Sequence, residues 1–271
     1  MNIFEAIFLG IIQGATEFLP VSSSGHLVLL PAIFHMTPPD LTMVGLVHLG
    51  TLVAVLVYFR RDLWNIVTAV LVGLRERKPM GTTDARLGWF IAVGCIPAAV
   101  AGIVLERYFE NAYLHPTWVA FFLLVTAGLL VLGEKLMSGD KTFDTMTWID
   151  TIVIGLFQMM ALLPGISRSG STIVGGLLRG LDRSQAARYS FLLGVPVIFG
   201  AGLLSLVDIA TAPSLTTSLA AYAAAFVTAA LVGYLCIYFL LNWVRNHSLY
   251  IFAVYCVLLS VSYLLYSFIN G

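Results

Sequence analysis

Long apolar runs constrain the fold of this chain more than any other feature of its sequence. A helix needs about 18 to 25 apolar residues to span a bilayer. Six runs meet or approach that length: Leu41–Phe59, Leu87–Leu105, Thr117–Gly133, Ala186–Val207, Ser218–Leu241 and Leu249–Phe268. Charged residues make up only 10% of the chain, whereas a soluble domain has about 25%. We therefore predict an all-α polytopic membrane protein with a single membrane domain over residues 1–271.

Four further apolar stretches are too short to cross a bilayer, and they occur in pairs. Ile3–Ile12 and Leu27–Phe34 flank one polar cluster, and Ile149–Leu163 and Ile173–Leu178 flank a second. Non-helical backbone at membrane depth is tolerated only inside the protein or along a water-filled cavity. The pattern predicts two re-entrant helical hairpins, each of which enters and leaves the membrane on the same side.

The two halves of the chain carry a repeat. VHLGTLVAVLV, which starts at Val47, resembles FLLGVPVIFGA, which starts at Phe191. At a spacing of 145 residues, Gly10, Gln13, Ser22, Ser24 and Gly25 match Gly155, Gln158, Ser167, Ser169 and Gly170. Each half, about residues 1–138 and 146–271, then holds one re-entrant helical hairpin plus three transmembrane helices. Because three is odd, we expect an inverted-topology repeat, an arrangement that builds sites near the membrane midplane.

The basic residues predict the orientation of the chain in the membrane, because cytoplasmic loops are enriched in Lys and Arg. If the loop of residues 60–86 is cytoplasmic, twelve of the fourteen basic residues lie on that side: Arg60, Arg61, Arg75, Arg77, Lys78, Arg86, Lys135, Lys141, Arg179, Arg183, Arg188 and Arg245. Arg107 then lies outside, and Arg168 lies within the second hairpin. We expect both termini outside, with the first hairpin entering from the outer face and the second from the cytoplasm.

The first polar cluster, QGATEFLPVSSSGH, combines groups that suit a phosphate and a cation. Gln13 and Glu17 are four residues apart, so on a helix they share a face and are candidate ligands for a divalent cation. Pro20 ends that helix. Ser22, Ser23 and Ser24 supply hydroxyls and candidate N-caps, and Gly25 permits close backbone approach. The start of the next helix would then present N–H groups to an anion. His26 can act as acid, base or nucleophile near neutral pH.

The second cluster, PGISRSGST, adds a fixed cation. Arg168 can make bidentate contacts to phosphate and is expensive in a membrane unless it serves an anion or pairs with Glu17. The donors around it are Ser167, Ser169, Ser171 and Thr172, and Gly170 is the counterpart of Gly25. Together the two loops predict a phosphate site.

Other interpretations apply to single residues. A serine or glycine in a membrane helix often serves close packing, although packing alone does not explain the whole repeated set. We expect Gln158 to bond between helices and His48 to be a hydrogen-bonded core residue. With a net charge of zero and no basic face, the chain is not expected to bind nucleic acid.

With these motifs, the chain resembles the bacitracin-resistance family of undecaprenyl diphosphate phosphatases over essentially its whole length. The resemblance implies a hydrolase of the bacterial cytoplasmic (inner) membrane that removes the terminal phosphate of a polyprenyl diphosphate lipid. It also implies dependence on a divalent cation (Mg²⁺ or Ca²⁺) and a site open to the outer face. Many members carry Glu at the position of Gln13, and a neutral ligand there should weaken cation binding and leave more of that role to Glu17.

The residues and the resemblance together give a set of candidate roles. We expect Glu17, Ser23, His26 and Arg168 to be catalytic, and Gln13 and Glu17 to hold the metal. The expected substrate-binding residues are Ser22, Ser24, Gly25, Ser167, Ser169, Gly170 and Thr172. The sequence leaves the nucleophile open between Ser23, His26 and water.

Two other functions fit the same pattern. Inverted repeats and broken helices are also features of transporters, so a flippase of polyprenyl phosphate is the main alternative, and an anion channel lined by the serine loops is a weaker one. The bilayer and the lipid substrate are the expected partners. A homodimer is compatible with the sequence, which does not define the oligomeric state.

Overall fold

The computed structural model describes residues 1–211 and 218–270, a part of the chain that is built from α-helices. The side chain of Arg107, which we expect on the outer face of the membrane, is not among those described. A short 3-10 turn at Phe143–Thr145 precedes the second hairpin. The helices are α1 (Ile3–Phe18), α2 (Ser23–Ile33), α3 (Leu41–Tyr58), α4 (Arg60–Arg75), α5 (Thr83–Val104), α6 (Glu106–Tyr113), α7 (Pro116–Leu136), α8 (Trp148–Met160), α9 (Arg168–Leu178), α10 (Arg183–Thr211), α11 (Leu219–Trp243) and α12 (Tyr250–Asn270).

Five of the described helices are long and apolar enough to cross a membrane, namely α5, α7, α10, α11 and α12. Helix α3 meets the same standard only together with α4, from which it is bent by 76°. All six long apolar runs of the sequence therefore lie in helices. This confirms an all-α, multi-pass membrane protein.

Two helices were not predicted from the sequence. The segment of residues 60–86, expected to be a loop, contains α4, and α6 follows α5 after one residue. On α4, Trp64, Val67 and Leu71 are exposed, and Arg60 and Arg61 stand in its first turn. Exposed apolar side chains beside basic residues are typical of a helix that lies in the membrane interface.

The two predicted hairpins are pairs of short helices with a break inside each polar cluster. Helix α1 ends at Phe18, and Leu19 has extended backbone, as expected for a residue before proline. Helix α8 ends at Met160, and Gly165 in the following loop has a φ of +98°, which favours glycine. With 16, 11, 13 and 11 residues, α1, α2, α8 and α9 are each too short to span a bilayer.

Helix pairing follows the repeat. Helix α1 packs on α11, while α8, its counterpart in the second half, packs on α5, the counterpart of α11. The counterparts α3 and α10 pack on each other, and so do α7 and α12. Each helix thus packs on a helix of the other half, and its counterpart makes the equivalent contact, as expected if the halves are related by a two-fold axis. The inversion of the halves across a membrane stays a prediction.

Candidate active site

The two polar loops, 145 residues apart in the sequence, interlock in the structure. The Gly165 N–H donates to Ser24 Oγ at 3.3 Å, and Ser169 Oγ donates to the Leu19 carbonyl at 3.0 Å. A β-carbon on Gly25 would lie 3.6 Å from Gly165 Cα. The broken ends of both hairpins therefore form one joint, in which each loop satisfies polar groups of the other.

Serine caps open the second helix of each hairpin. Ser22 Oγ accepts the Gly25 N–H at 3.2 Å, and Ser167 Oγ accepts the Gly170 N–H at 3.1 Å. Such caps satisfy backbone donors that a helix leaves free at its first turn. Ser22 also has a φ of +69°, a region that non-glycine residues seldom occupy. The turn into α2 is thus held in an uncommon conformation at the residue before Ser23.

The Glu17 carboxylate is the centre of the cluster. Its Oε1 accepts from Arg168 Nη2 at 2.8 Å. Its Oε2 accepts from Ser23 Oγ at 2.7 Å and from Gln13 Nε2 at 2.9 Å. Glu17 is only 7% exposed, so this carboxylate depends on those donors for its solvation. Arg168 thus pairs with Glu17 across the two hairpins, which is one of the two roles that the sequence left open for it.

The guanidinium of Arg168 is fixed from two sides. Besides Glu17, it donates from Nη1 to the Ser190 carbonyl at 3.2 Å. On α10 it lies against Gly194, where an added β-carbon would come within 2.6 Å of Cζ. The cation is therefore held by α1 and α10 together, in space that a larger residue at 194 would occupy.

A cavity of about 150 Å³ opens beside these groups. Five predicted residues line it, namely Glu17, Ser22, Ser23, Ser24 and Arg168, and they are joined by His48, Tyr113 and Gln158. The remaining wall is apolar and consists of Ala98, Ala161, Leu162, Ile166, Val197, Ile198 and Ala201. An ion pair, a hydroxyl and apolar side chains thus line one space.

His26, a predicted catalytic residue, is not part of the cavity lining. Its Nδ1 donates to the Ser22 carbonyl at 2.7 Å, and its Nε2 faces the Tyr255 hydroxyl at 2.7 Å. The two rings are parallel, with centroids 5.5 Å apart. His26 therefore links the turn at Ser22 to α12 and does not line the cavity.

The other predicted residues support the loops instead of lining the cavity. Gly170 packs against Pro20 of the first loop, and Thr172 Oγ1 shares a 2.6 Å hydrogen bond with Ser190 Oγ. Gln13 is fully buried, and its Oε1 has no hydrogen-bond partner in the described part of the chain. Together with Gly25, Ser167 and Ser169, these groups fix the positions of the residues that face the cavity.

Three cavity residues were missed or assigned another role. His48 was expected to be a core residue, and its Nδ1 does bond the Val44 carbonyl at 2.8 Å, yet its Nε2 lies 3.8 Å from Glu17 Oε2. The sequence did indicate a functional role for His48, because an ionisable residue inside an apolar span is often part of a site. Gln158 bonds the Gly94 carbonyl at 3.4 Å, as an interhelical contact should, and also lines the cavity. Nothing in the sequence indicates Tyr113, because its position depends on α6.

This arrangement can bind and cleave a phosphate ester or anhydride. The Ser23 hydroxyl is hydrogen-bonded to a carboxylate that can take its proton, which is the relation between a nucleophile and its base. Arg168 lies on the other oxygen of that carboxylate and can stabilise phosphoryl charge. The described residues contain no group of three or more His, Cys, Asp or Glu side chains that could hold a metal by themselves.

Comparison with known proteins agrees with this chemistry. The family model described as bacitracin resistance protein BacA matches residues 6–262. The chain belongs to the BacA family. Within curated proteins, an undecaprenyl-diphosphatase of Chlorobaculum tepidum is 44% identical over 269 residues, covering 96% of this chain and 95% of the relative. An undecaprenyl-diphosphatase of Desulforudis audaxviator is 43% identical over the full length of both chains. One of Myxococcus xanthus is 41% identical, covering 96% of this chain and 88% of the relative.

Membership in the BacA family confirms the resemblance drawn from the two loop motifs. The match covers both hairpins and most of α12, so it includes every residue placed around the cavity. The roles of individual residues rest on the geometry described above.

Proposed function

We propose that this BacA-family chain is an undecaprenyl-diphosphate phosphatase, which hydrolyses the lipid diphosphate to the monophosphate and inorganic phosphate. The observation that carries the proposal is the hydrogen bond from Ser23 to Glu17 beside Arg168, in a cavity that apolar side chains also line. The names of the relatives support the same substrate. A nucleophile paired with a base favours hydrolysis over the flippase alternative, which needs neither.

In the proposed reaction, Ser23 Oγ forms a bond to the terminal phosphorus and gives its proton to Glu17 Oε2. The bond from that phosphorus to the bridging oxygen breaks, and its electron pair leaves with the lipid monophosphate. Arg168 stabilises the charge on the transferred phosphoryl group. Water then attacks the phosphorus of the phosphoserine, and the bond from that phosphorus to Ser23 Oγ breaks. The proton on Glu17 returns to Oγ, and both protons of the water leave with the inorganic phosphate.

A divalent cation is part of the proposal. Glu17 offers carboxylate oxygens at the cavity, and Gln13, one helical turn away, would add its unpartnered Oε1 after a turn of the amide that donates from Nε2 to Glu17. The two residues would then hold an ion that takes its other ligands from phosphate and water. When bound, such an ion would supply charge neutralisation at the phosphate oxygens. Because only one of the two protein donors is charged, we expect weak binding of the ion in the absence of substrate.

We further propose that the site opens to the outer face of the cytoplasmic membrane. Support comes from ion pairs that join the helix ends expected in the cytoplasm. Arg179 and Lys141 bind Asp150 at 2.7 and 2.9 Å, and Arg183 binds Glu134 at 2.5 Å. These contacts gather ends of α7, α8, α9 and α10 on one face, as the positive-inside pattern requires.

Phosphate release by the purified protein in detergent tests the proposed activity, since transport has no meaning without a membrane. We expect turnover of undecaprenyl diphosphate that stops in EDTA and returns with Mg²⁺ or Ca²⁺. Activity that persists in EDTA would remove the cation from the mechanism. A protein that releases no phosphate with either ion would contradict the proposed function.

The nucleophile is tested by trapping the enzyme with substrate that is radiolabelled in its terminal phosphate. We expect an acid-stable label on the wild type, as for phosphoserine, and none on Ser23→Ala, while Ser262→Ala, at an exposed serine of α12, labels normally. An acid-labile label would indicate His26 instead. Turnover without any label would favour direct attack by water.

A further inference from the structure

Helix α4 presents an apolar face that the described part of the chain leaves largely uncovered. On its inner side the helix packs on α5, where Ile66 and Val70 lie against Gly88. On another side an apolar stripe runs along the helix in steps of three and four residues. Each member of the stripe is more than half exposed: Trp64, Val67, Leu71 and Leu74. A contiguous apolar surface of this kind marks a site of interaction.

Basic side chains stand at both ends of the apolar stripe. They form a basic set of five residues, namely Arg60, Arg61, Arg75, Arg77 and Lys78. All five are exposed, and among the described residues none of them forms an ion pair with a carboxylate. The acidic residues of this segment are Asp62, which is paired with Arg188 of α10, and Glu76. The two ends of the stripe therefore carry a surplus of positive charge.

The direction of α4 places this face along a membrane surface. The helix is bent by 76° from α3, which belongs to a predicted span. Its first turn is held in that direction by the bond between Asp62 and Arg188, at 2.5 Å. A helix nearly perpendicular to a span lies in the headgroup layer. There the stripe enters the acyl layer, while long arginine and lysine side chains reach back to the headgroups.

Charge complementarity selects the occupant of this face. In a symmetric dimer built on α4, the basic set of one copy would meet the same cations of the other. A soluble acidic protein would match the charges but leave the apolar stripe in contact with water. An anionic phospholipid offers hydrocarbon to the stripe and phosphate to the basic set. Clusters of basic residues beside a membrane span attract such lipids.

We propose that α4 is a binding surface for anionic phospholipids. The apolar stripe inserts among the acyl chains, and the basic set binds the headgroup phosphates. This interaction does not depend on the reaction that takes place in the cavity. It predicts that the lipids beside α4 are enriched in anionic headgroups relative to the lipids elsewhere around the protein.

Tryptophan quenching by brominated lipids measures the lipid composition next to α4. In the first variant Trp64 is the remaining tryptophan, because the other four are replaced by phenylalanine: Trp89, Trp118, Trp148 and Trp243. The protein is placed in vesicles of equal parts phosphatidylcholine and phosphatidylglycerol, and the bromine is carried by one lipid or by the other. We expect phosphatidylglycerol to be favoured beside Trp64 by about fivefold, the effect of about one basic residue at an anionic surface.

A matched variant keeps Trp118 in place of Trp64. Trp118 is 60% exposed at the start of α7, and no lysine or arginine lies within ten residues of it in the sequence. The two lipids should quench it about equally. An equal preference for phosphatidylglycerol at Trp64 and Trp118 would overturn the proposal, because the enrichment would then not belong to α4. Equal quenching of Trp64 by the two lipids, or no quenching by either, would overturn it as well.

Removal of charge tests the basic set. In the Trp64 variant, Arg60→Gln combined with Arg61→Gln should lower the preference for phosphatidylglycerol at least twofold. Lys135→Gln should leave it unchanged, since this exposed lysine lies on α7, which packs on α9 and α12. Salt at about 1 M, where the Debye length is about 3 Å, should also lower the preference without any change at the arginines. A preference that survives both salt and the arginine replacements would contradict a role of the basic set.

A second measurement retains all five tryptophans, so it does not depend on the folding of the tryptophan variants. The wild type and the Arg60→Gln/Arg61→Gln variant are extracted from the same vesicles with mild detergent, and the retained lipids are counted by native mass spectrometry. We expect the wild type to retain at least twice as much phosphatidylglycerol as the double variant, and Lys135→Gln to retain as much as the wild type. Equal retention by the wild type and the double variant would overturn the proposal.

Discussion

The position of Arg168 depends on a residue that makes no hydrogen bond to it. Its guanidinium occupies space over Gly194 of α10, while its two terminal nitrogens reach Ser190 and Glu17. An arginine on a short helix could otherwise adopt several rotamers. The absence of a side chain at 194 leaves room for the one that faces the carboxylate.

We predict that Gly194→Ala lowers kcat/KM for undecaprenyl diphosphate by at least about tenfold, the effect of losing about 1.4 kcal/mol of transition-state stabilisation. The added β-carbon would lie 2.6 Å from Arg168 Cζ and displace the guanidinium. Gly200→Ala is the matched control, because nothing lies within 4 Å of a β-carbon at that position of the same helix. Equal activity of the two variants would show that Arg168 tolerates displacement. Thermal unfolding in detergent checks that both are folded.

The charged and hydroxyl residues of the cavity are easier to predict from the sequence than the residues that position them. Glu17, Ser23 and Arg168 are polar groups in an apolar chain. The free-energy cost of placing such groups in a membrane is enough to mark them as functional candidates. Gly194 carries no such indication, since its role is defined by a side chain from another helix. His26 was singled out for the same reason as Glu17, yet its ring faces Tyr255, a direction that the spacing of residues cannot give.

At the scale of elements, glycines allow the first helix of each hairpin to approach a spanning helix. A β-carbon at Gly10 of α1 would lie 2.5 Å from the Ala225 carbonyl oxygen of α11. At Gly155 of α8, the matching position of the repeat, it would lie 2.6 Å from the Gly94 carbonyl oxygen of α5. The two obstacles are backbone atoms, which cannot rotate away as a side chain would.

Gly10→Ala and Gly155→Ala are each predicted to lower the stability of the protein by about 1–3 kcal/mol, the usual cost of overpacking. Alanine in a helix normally gains about 0.5–1 kcal/mol over glycine, so a loss would show that the close approach dominates. Gly128→Ala of α7, with nothing within 4 Å, should be neutral or slightly stabilising. Unfolding temperatures in detergent measure all three. A stabilised Gly10→Ala or Gly155→Ala variant would mean that the helices separate at little cost.

The sequence predicted those helices that are marked by the length and apolarity of a run, and it did not predict the others. All six long runs are helical, and both short pairs break inside the polar clusters. Helices α4 and α6 were not predicted because each carries charged residues, which favoured a loop. Helix α4 packs beside α5, and α6 packs beside α7 and α5. These are tertiary contacts, which the sequence does not give.

At the scale of the whole molecule, polar contacts sort the helix ends into two sets. Asp62, at the start of α4, pairs with Arg188 of α10 at 2.5 Å. A second contact lies at the start of α3 and of α11, where the Tyr222 hydroxyl donates to Asp40. The start of α3 is the end of that helix opposite to α4. In the predicted orientation the first pair is cytoplasmic and the second is external. The contacts thus agree with the charge pattern.

Labelling of single cysteines in intact cells tests the orientation. In a variant without Cys95, Cys236 and Cys256, a membrane-impermeant thiol reagent should modify Thr37→Cys and Asn270→Cys but spare Lys78→Cys and His247→Cys until the cells are permeabilised. All four positions are exposed. The reverse pattern would place the cavity entrance in the cytoplasm. Labelling of Thr37→Cys and Lys78→Cys from the same side would mean that α3 does not cross the membrane. That result would also remove the inverted repeat, because the first half would then have an even number of spans and the second half would enter in the same direction.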